Sequence, residues 1–189
     1  MNKTSIKVTA VAIALLLSGC IAWKPVDTKP VTSSGGKYSL NLPVGWNVLA
    51  LGTQQIASKY GTGLQSFTVR QINLKNAFGT GKNRTNASAD MDPRELCEKL
   101  VADMKALPNN ETLEITSIQP YMLGGRAGFR AELKSKRTFQ ADGIRYQHVL
   151  YGTANKNGVY TLQYEAPVLH YFAKDLPDVE KSATTFKLL

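Results

Sequence analysis

The sequence is poor in the residues that build metal and catalytic sites. It has two cysteines, Cys20 and Cys97, and two histidines, His148 and His170, and none has a second ligand at the spacing of a zinc site. His148, on a predicted strand, is interpreted as a structural residue. No nucleophile elbow or paired-carboxylate motif is visible. We therefore expect no enzyme, metal or cofactor, and a hydrolytic enzyme is the most distant function considered.

Long apolar runs are also absent. The most apolar stretch, residues 8–17, has ten residues, whereas a membrane-spanning helix needs about 20. It follows a short segment with Lys3 and Lys7 and precedes Ser18-Gly19, which is the order of a secretory signal peptide with a small-residue cleavage site. We therefore expect residues 1–19 to be removed from the mature protein.

The residues from Leu17 to Cys20 resemble the lipobox of bacterial lipoproteins. The resemblance implies cleavage before Cys20, a diacylglycerol thioether on its sulfur and an acyl chain on its amine, which together anchor a protein durably in a membrane. In such lipoproteins an Asp after the cysteine marks retention in the inner membrane. Ile21 stands there in this chain, so we expect the outer membrane, facing the periplasm. An ordinary signal peptide, with Cys20 incidental, is the alternative.

The mature chain is basic. Without residues 1–19 it has 170 residues, 21 basic and 14 acidic, and a formal charge of +7, and this length suits one domain. A basic surface attracts anionic envelope components such as lipid headgroups, lipopolysaccharide or peptidoglycan, although net charge also serves solubility alone. With Cys20 acylated, Cys97 has no partner for an internal disulfide.

We divide the mature chain into a tether and a single domain. Residues 20–36 are rich in Pro, Ser and Gly and show no periodicity. We therefore expect a lipidated Cys20 followed by a flexible tether that reaches about 50 Å when extended. Trp23 in this tether either sits at the membrane interface or is simply an exposed residue. The folded domain is expected to span residues 37–189.

Two helices are expected in this domain. The first begins at Asp92-Pro93, a capping residue followed by the proline favoured in the first turn, and its apolar face ends near Leu107. Cys97 lies on or beside that face and is interpreted as a buried, inert thiol. A second helix is expected over residues 175–185.

Most of the remaining domain alternates as antiparallel strands do. We expect Asp142-Gly143 to form a two-residue hairpin that places Leu133 opposite Gly152. For the next hairpin we expect a three-residue loop ending at Gly158, because this loop pairs Gly152 with Leu162 and keeps the apolar residues on one face. Gly152 then leaves room for a helix or an aromatic ring to approach closely.

One predicted strand carries a row of basic side chains on a single face. Such a row could bind phosphates or carboxylates through charge-assisted hydrogen bonds. The alternative is a solvated edge whose lysines discourage strand-to-strand aggregation. The members of this basic row are Arg126, Arg130, Lys134, Lys136 and, brought near by the predicted hairpin, Arg145.

Several short features together resemble the PsbP-like fold. They are an aromatic strand followed by a Pro and a Gly-Trp pair (Tyr38 to Trp46), one capped helix, a meander of strands, and a final helix ending in Ser182 and Phe186. The resemblance implies an α+β domain, with an antiparallel sheet of about six strands sandwiched between helices (α/β/α). The fold occurs in a photosystem accessory subunit, in a nuclear transport factor and in small bacterial lipoproteins such as DcrB, which implies an accessory or binding role.

Two functions from different classes therefore remain open. In the first, a non-catalytic lipoprotein docks onto another protein of the cell envelope. In the second, the domain binds an anionic envelope polymer or lipid, such as lipopolysaccharide or peptidoglycan, through the basic row. The second would weaken as salt screens the charges, whereas the first would persist. No nucleic acid partner is expected.

Overall fold

The structure is a computed structural model that describes residues 23–108, 110, 112–137 and 143–189. The predicted signal peptide and Cys20 lie outside the described residues. The elements are β1 (Lys24–Pro25), β2 (Val31–Thr32), β3 (Tyr38–Leu40), β4 (Asn47–Leu51), β5 (Gln54–Ser58), β6 (Ser66–Ile72), α1 (Pro93–Lys105), β7 (Glu114–Leu123), β8 (Arg126–Arg137), β9 (Ile144–Asn155), β10 (Gly158–Pro167), α2 (Ala173–Thr184) and β11 (Lys187–Leu188).

The main sheet is antiparallel and has eight strands, in the order β1-β4-β5-β6-β10-β9-β8-β7. The expectation of about six strands was therefore too low, while the α+β class is confirmed. β5 was missed because its sequence, Gln54–Ser58, is too polar to show an apolar alternation. β11, β3 and β2 form a separate three-stranded sheet.

Each face of the main sheet is covered by one helix, as expected. Helix α1 begins at Pro93, and the Asp92 carboxylate caps it by accepting from two backbone amides of its first turn. Its buried stripe packs on Phe129 and Leu150, whereas α2 packs Val179 on the opposite face. Burial of each such large apolar side chain contributes roughly 1.5–3 kcal/mol. The stripe of α1 consists of Leu96, Cys97, Leu100, Val101 and Met104.

The predicted hairpin at Asp142-Gly143 is wrong. Strands β8 and β9 pair from Arg137 and Ile144 inward, so the connection spans residues 138–143, of which 138–142 lie outside the described residues. Phe129, and not Leu133, therefore opposes Gly152. The register suits the packing, because the Phe129 ring occupies the space above Gly152, where a Cβ would lie 2.5 Å from it. The predicted approach of an aromatic ring to this glycine is thus confirmed.

The predicted three-residue loop before β10 is also wrong. Gly158 pairs with Asn155, which leaves Lys156-Asn157 as a two-residue loop and places Thr161 opposite Gly152. The prediction assumed that this strand buries apolar residues on one face only. In the structure both faces are covered, and Thr161 is buried with its hydroxyl bonded to Arg70.

Most of the predicted tether belongs to the folded domain. Lys24–Pro25 pairs with β4, and Val31–Thr32 pairs with β3. The side chain of Val26 is buried and its amide donates to the carbonyl of Trp46. Among the described residues the chain is therefore attached to the sheet from Lys24 onward, a correction to the expected flexible segment.

Candidate functional site

Within the basic row, Arg130 is held by two carboxylates. Its guanidinium lies 2.8 Å from Glu132 and 2.8 Å from Glu180 of helix α2, with its carbon 5.9 Å from the centre of the Tyr151 ring. Burial would lower the pKa of Arg130, but hydrogen bonds to Glu132, Tyr151 and Glu180 raise it well above its usual range. Arg130 is thus a neutralised cation that connects β8 to α2.

Two other members of the row are also engaged. Lys134 lies 3.2 Å from Glu114 on the neighbouring strand. Arg126 donates to the carbonyls of Ala154 and Ala89. The row is therefore less available to an anion than its sequence indicates, because carboxylates or backbone carbonyls already bind three of its five side chains.

Lys136 and Arg145 are the row's remaining members. They are exposed and lie directly opposite each other across β8 and β9. No carboxylate of the described residues lies within 4 Å of either one. Like charges facing each other across two strands destabilise the pair unless a counterion lies between them. The part of the row best suited to an anion is therefore this pair.

The structure brings three polar side chains together around the buried His148, and we call these four residues the buried polar cluster. His148 Nε2 lies 2.8 Å from the Ser135 hydroxyl oxygen, and its Nδ1 lies 3.4 Å from Glu165. Arg137 donates to the same Glu165 oxygen at 2.8 Å. The cluster is Ser135, Arg137, His148 and Glu165, drawn from three adjacent strands.

Glu165 is the electrostatic centre of this cluster. Burial alone would raise its pKa, but the interaction with His148 and the charge of Arg137 outweigh burial and lower the pKa to about 2. We attribute the lowered pKa of Glu165 mainly to Arg137, because the 3.4 Å between His148 Nδ1 and Glu165 is long for a hydrogen bond. The Arg137 guanidinium is fixed in turn over the Tyr146 ring, 4.4 Å from its centre.

The cluster contains the residue types of a Ser-His-Glu hydrolase, but their burial argues for a structural role. A nucleophilic hydroxyl must be reachable by substrate. Ser135 and His148 are both buried, and Arg137 occupies the oxygen of Glu165 that faces the histidine. The arrangement can cross-link β8, β9 and β10 through polar contacts, and it presents no accessible nucleophile.

A groove of about 350 Å³ lies between the N-terminal end of α1 and strands β7 and β8. We call it the β7 groove. Its apolar lining is formed mainly by Ile118, Pro120, Met122 and Phe129, with Asp92–Arg94 at the helix end of the groove. Met122 is 63% exposed, and no strand of the described residues pairs with the outer side of β7. The groove is thus an accessible apolar surface at a free sheet edge.

The described residues contain neither a group of metal ligands nor a helix that could span a membrane. In the part of the chain that the structure covers, no three His, Cys, Asp or Glu side chains are grouped so that they could hold a metal ion. The helices in those same ranges are too short or too polar to span a bilayer.

Comparison of the structure with solved structures identifies the fold. Cyanobacterial PsbP from Synechocystis sp. PCC 6803 matches with a TM-score of 0.52 and 10% identity, covering 92% of this chain and 99% of that one. The chain has the PsbP-like fold. The Ran-binding protein Mog1p of Saccharomyces cerevisiae matches with a TM-score of 0.55 and 12% identity, covering 86% of this chain and 96% of that one. At these identities only the fold is shared.

A Bacteroides thetaiotaomicron protein also aligns, with a TM-score of 0.46 and 19% identity over 85% of this chain. The chain spans about half of that longer protein, 48% of its length. No protein family model and no curated protein matches the sequence. The predicted PsbP-like fold is thus confirmed by structure alone.

Reasoning from sequence missed both the buried polar cluster and the β7 groove. Ser135 and Glu165 lie 13 and 17 residues from His148, and only the strand register brings them together. The exposed Met122 beside Pro120 was the one available signal for the groove, because a large apolar residue next to a strand-breaking proline suits an exposed edge.

Proposed function

We propose that this protein is a non-catalytic accessory lipoprotein of the bacterial cell envelope. In this proposal the acylated Cys20 anchors it in the outer membrane, facing the periplasm, and the β7 groove binds another envelope protein. The lipobox-like residues up to Cys20 support the anchor. The observation that carries the proposal is that β1, the described strand nearest Cys20 in the sequence, and the β7 groove lie at opposite edges of one sheet.

The sheet order separates the anchor from the groove. β1, which follows Cys20 after only three residues, is one edge strand, and β7 is the other. Seven strand spacings of about 4.8 Å place these edges roughly 34 Å apart. The four Cα–Cα steps from Cys20 to Lys24 reach only about 14 Å when fully extended. A membrane at Cys20 therefore lies close to the β1 edge, and the β7 groove is presented away from it.

The chemistry of the groove favours a protein partner. Its lining is apolar, and the exposed Met122 is a flexible side chain that adapts to irregular partner surfaces. Pro120 has no backbone N–H to donate, and this makes β7 a poor template for an added β-strand. We therefore expect side chains of the partner, rather than an extended strand, to fill the groove.

Site-specific photo-crosslinking in intact cells tests this proposal. A photoreactive amino acid at Met122 should give a discrete adduct with one envelope protein, and Met122→Asp should abolish co-purification of that protein. Val44 is the matched control, since it is 66% exposed and lies outside the groove. Equal crosslinking from both positions, or co-purification unaffected by Met122→Asp, would contradict the proposal.

Binding of an anionic envelope polymer or lipid is the second candidate, and the facing cations Lys136 and Arg145 favour it. Replacing both with Gln should reduce sedimentation with purified cell wall or lipopolysaccharide, and the effect should fade at high salt. Lys82 and Arg84, which are also exposed, provide a control pair in a distant loop. Unchanged sedimentation of the Lys136 and Arg145 variant would eliminate binding through this pair.

A further inference from the structure

Several exposed large apolar side chains are grouped at one corner of the sheet. Trp23 shares a shallow depression with Lys59 and Gly61 at the start of the β5–β6 loop. In the same loop, the Tyr60 ring lies 5.3 Å from that of Tyr171, in the turn after β10. We call this group the corner patch, and its exposed apolar members are Trp23, Tyr60, Leu64, Val168 and Leu169.

The topology explains why these separate segments meet. β6 and β10 are antiparallel neighbours, with Ser66 opposite Glu165, so the loop that enters β6 lies beside the turn that leaves β10. That turn bends at His170, whose φ of 73° is unusual for a residue other than glycine. Leu169, the residue before this bend, is 70% exposed. The strand order therefore brings the two segments of the patch together.

The patch combines the residue types that favour a membrane interface. Trp and Tyr place an apolar ring beside a polar group, and this amphipathic character suits the headgroup region. The Lys174 ammonium lies 3.0 Å from the Tyr60 hydroxyl, and Lys24 is exposed on the adjacent edge strand. Lysines at such a rim are attracted to anionic lipid headgroups.

The chain leading to Cys20 restricts what can cover this patch. Trp23 is three residues from Cys20, which limits the distance between their Cα atoms to roughly 10 Å. A folded partner domain of about 100 residues has a radius of gyration of about 13 Å, so it does not fit between Trp23 and a membrane that holds Cys20. A lipid surface needs no such space, because the acylated cysteine already lies in it.

We propose that the corner patch docks on the headgroup region of the membrane that holds Cys20. This proposal rests on the proposed lipid anchor and adds a second contact that fixes the orientation of the domain. Trp23 and Leu169 insert at the interface, while Lys24 and Lys174 contact anionic headgroups. The domain is thus held against the bilayer, with its β7 groove facing the periplasm.

Fluorescence quenching by brominated lipids tests this docking on the mature lipoprotein in vesicles that contain anionic phospholipid. The chain has two tryptophans, of which Trp23 is 42% exposed and Trp46 is 1% exposed. We expect bromine at the upper part of the acyl chain to quench emission from Trp23. A Trp23→Phe variant retains only Trp46, and its emission should be unaffected. Equal quenching in both proteins, or none in either, would overturn the proposal.

Matched aspartate variants show whether the patch drives the docking. Leu169→Asp should shift the ratio of docked to undocked protein by about tenfold, because a leucine loses its apolar environment. Met122→Asp removes a similarly exposed apolar side chain, 63% against 70% for Leu169, from the other sheet edge, and it should leave Trp23 quenching unchanged. The same loss in both variants, or in neither, contradicts docking through this patch.

The state of Cys20 is measured on the same samples by the mass of the N-terminal peptide. An unmodified Cys20 overturns both the anchor and the docking that rests on it. An acylated protein whose Trp23 is not quenched overturns the docking alone and leaves the anchor standing.

Discussion

Replacing Arg137 with Met is expected to destabilise the protein strongly. Arg137 lies 2.8 Å from Glu165 and stacks on Tyr146, and both charged side chains are mostly buried. Methionine retains an unbranched apolar stem that can remain over the tyrosine ring, but it removes the positive charge. Glu165 would then be a buried carboxylate without its principal cation.

The magnitude follows from the pKa of Glu165. A pKa lowered from 4.5 to about 2 corresponds to about 3 kcal/mol of stability at neutral pH. Removing one partner of a buried ion pair costs about 3–5 kcal/mol in comparable cases. We therefore expect Arg137→Met to lower the free energy of unfolding by about 3 kcal/mol, or Tm by roughly 6–12 °C for a domain of this size.

The loss of stability in Arg137→Met should depend on pH, which distinguishes it from a loss of packing. Stabilisation by Glu165 in the native protein is complete above the unfolded pKa of 4.5 and is lost as the pH falls through about 2. In Arg137→Met, burial raises the pKa of Glu165, so its contribution becomes unfavourable as the pH rises to neutrality. The difference between the two proteins should shrink on acidification.

Denaturant unfolding followed by circular dichroism between pH 2 and 7 measures this difference. Glu165→Gln is the control, because it keeps the side-chain shape while removing the charge, and the double variant should recover part of the loss from Arg137→Met. A loss below about 0.5 kcal/mol at pH 7, the range of ordinary surface substitutions, or a loss independent of pH would refute the reasoning.

Three further predictions concern packing and reactivity. Gly152→Ala should destabilise the protein by roughly 1–3 kcal/mol in urea unfolding, because the new Cβ would lie 2.5 Å from the Phe129 ring; Phe129→Leu in the same chain should restore part of that loss. Asp92→Ala should cost about 1 kcal/mol through the lost cap of helix α1, and an unchanged unfolding midpoint would show that the cap contributes nothing. Cys97 should react with thiol reagents only as fast as the protein opens, since burial raises its pKa to about 12; rapid labelling of native protein would contradict its assignment as an inert thiol.

Local signals in the sequence predicted the helices well. Asp92 and Pro93 mark the start of α1 because capping and the proline's fixed φ depend only on adjacent residues. The five buried residues of that helix follow one face, as its apolar periodicity indicates. The alternating pattern of β8 was equally visible, since its face toward α1 is apolar through Phe129 and Leu133.

Strand register could not be predicted in the same way. Each hairpin was aligned by matching apolar faces, but a sheet covered by helices on both sides buries polar residues too, including Thr161 and His148. The contact between Phe129 and Gly152 involves side-chain volumes across two strands, which no local pattern records. The buried polar cluster depends on that register, and it was missed for the same reason.

The tether was misjudged because its pairing partners are distant. Lys24–Pro25 and Val31–Thr32 have no periodicity of their own, and they form strands only against β4 and β3. Proline, serine and glycine in this segment are typical of loops, which made it resemble a linker. Because Lys24–Pro25 pairs with β4, the chain between Cys20 and the sheet is shorter than the predicted tether.

The most direct test of the account is the chemical state of Cys20 in the mature protein. Cells grown with radiolabelled palmitate should yield a labelled protein whose N-terminal peptide begins at Cys20 and carries acyl chains, and Cys20→Ser should be unlabelled and released from membranes. Cleavage elsewhere, absence of label, or a Cys20→Ser protein that stays membrane-bound would contradict a domain held by lipid beside its β1 edge.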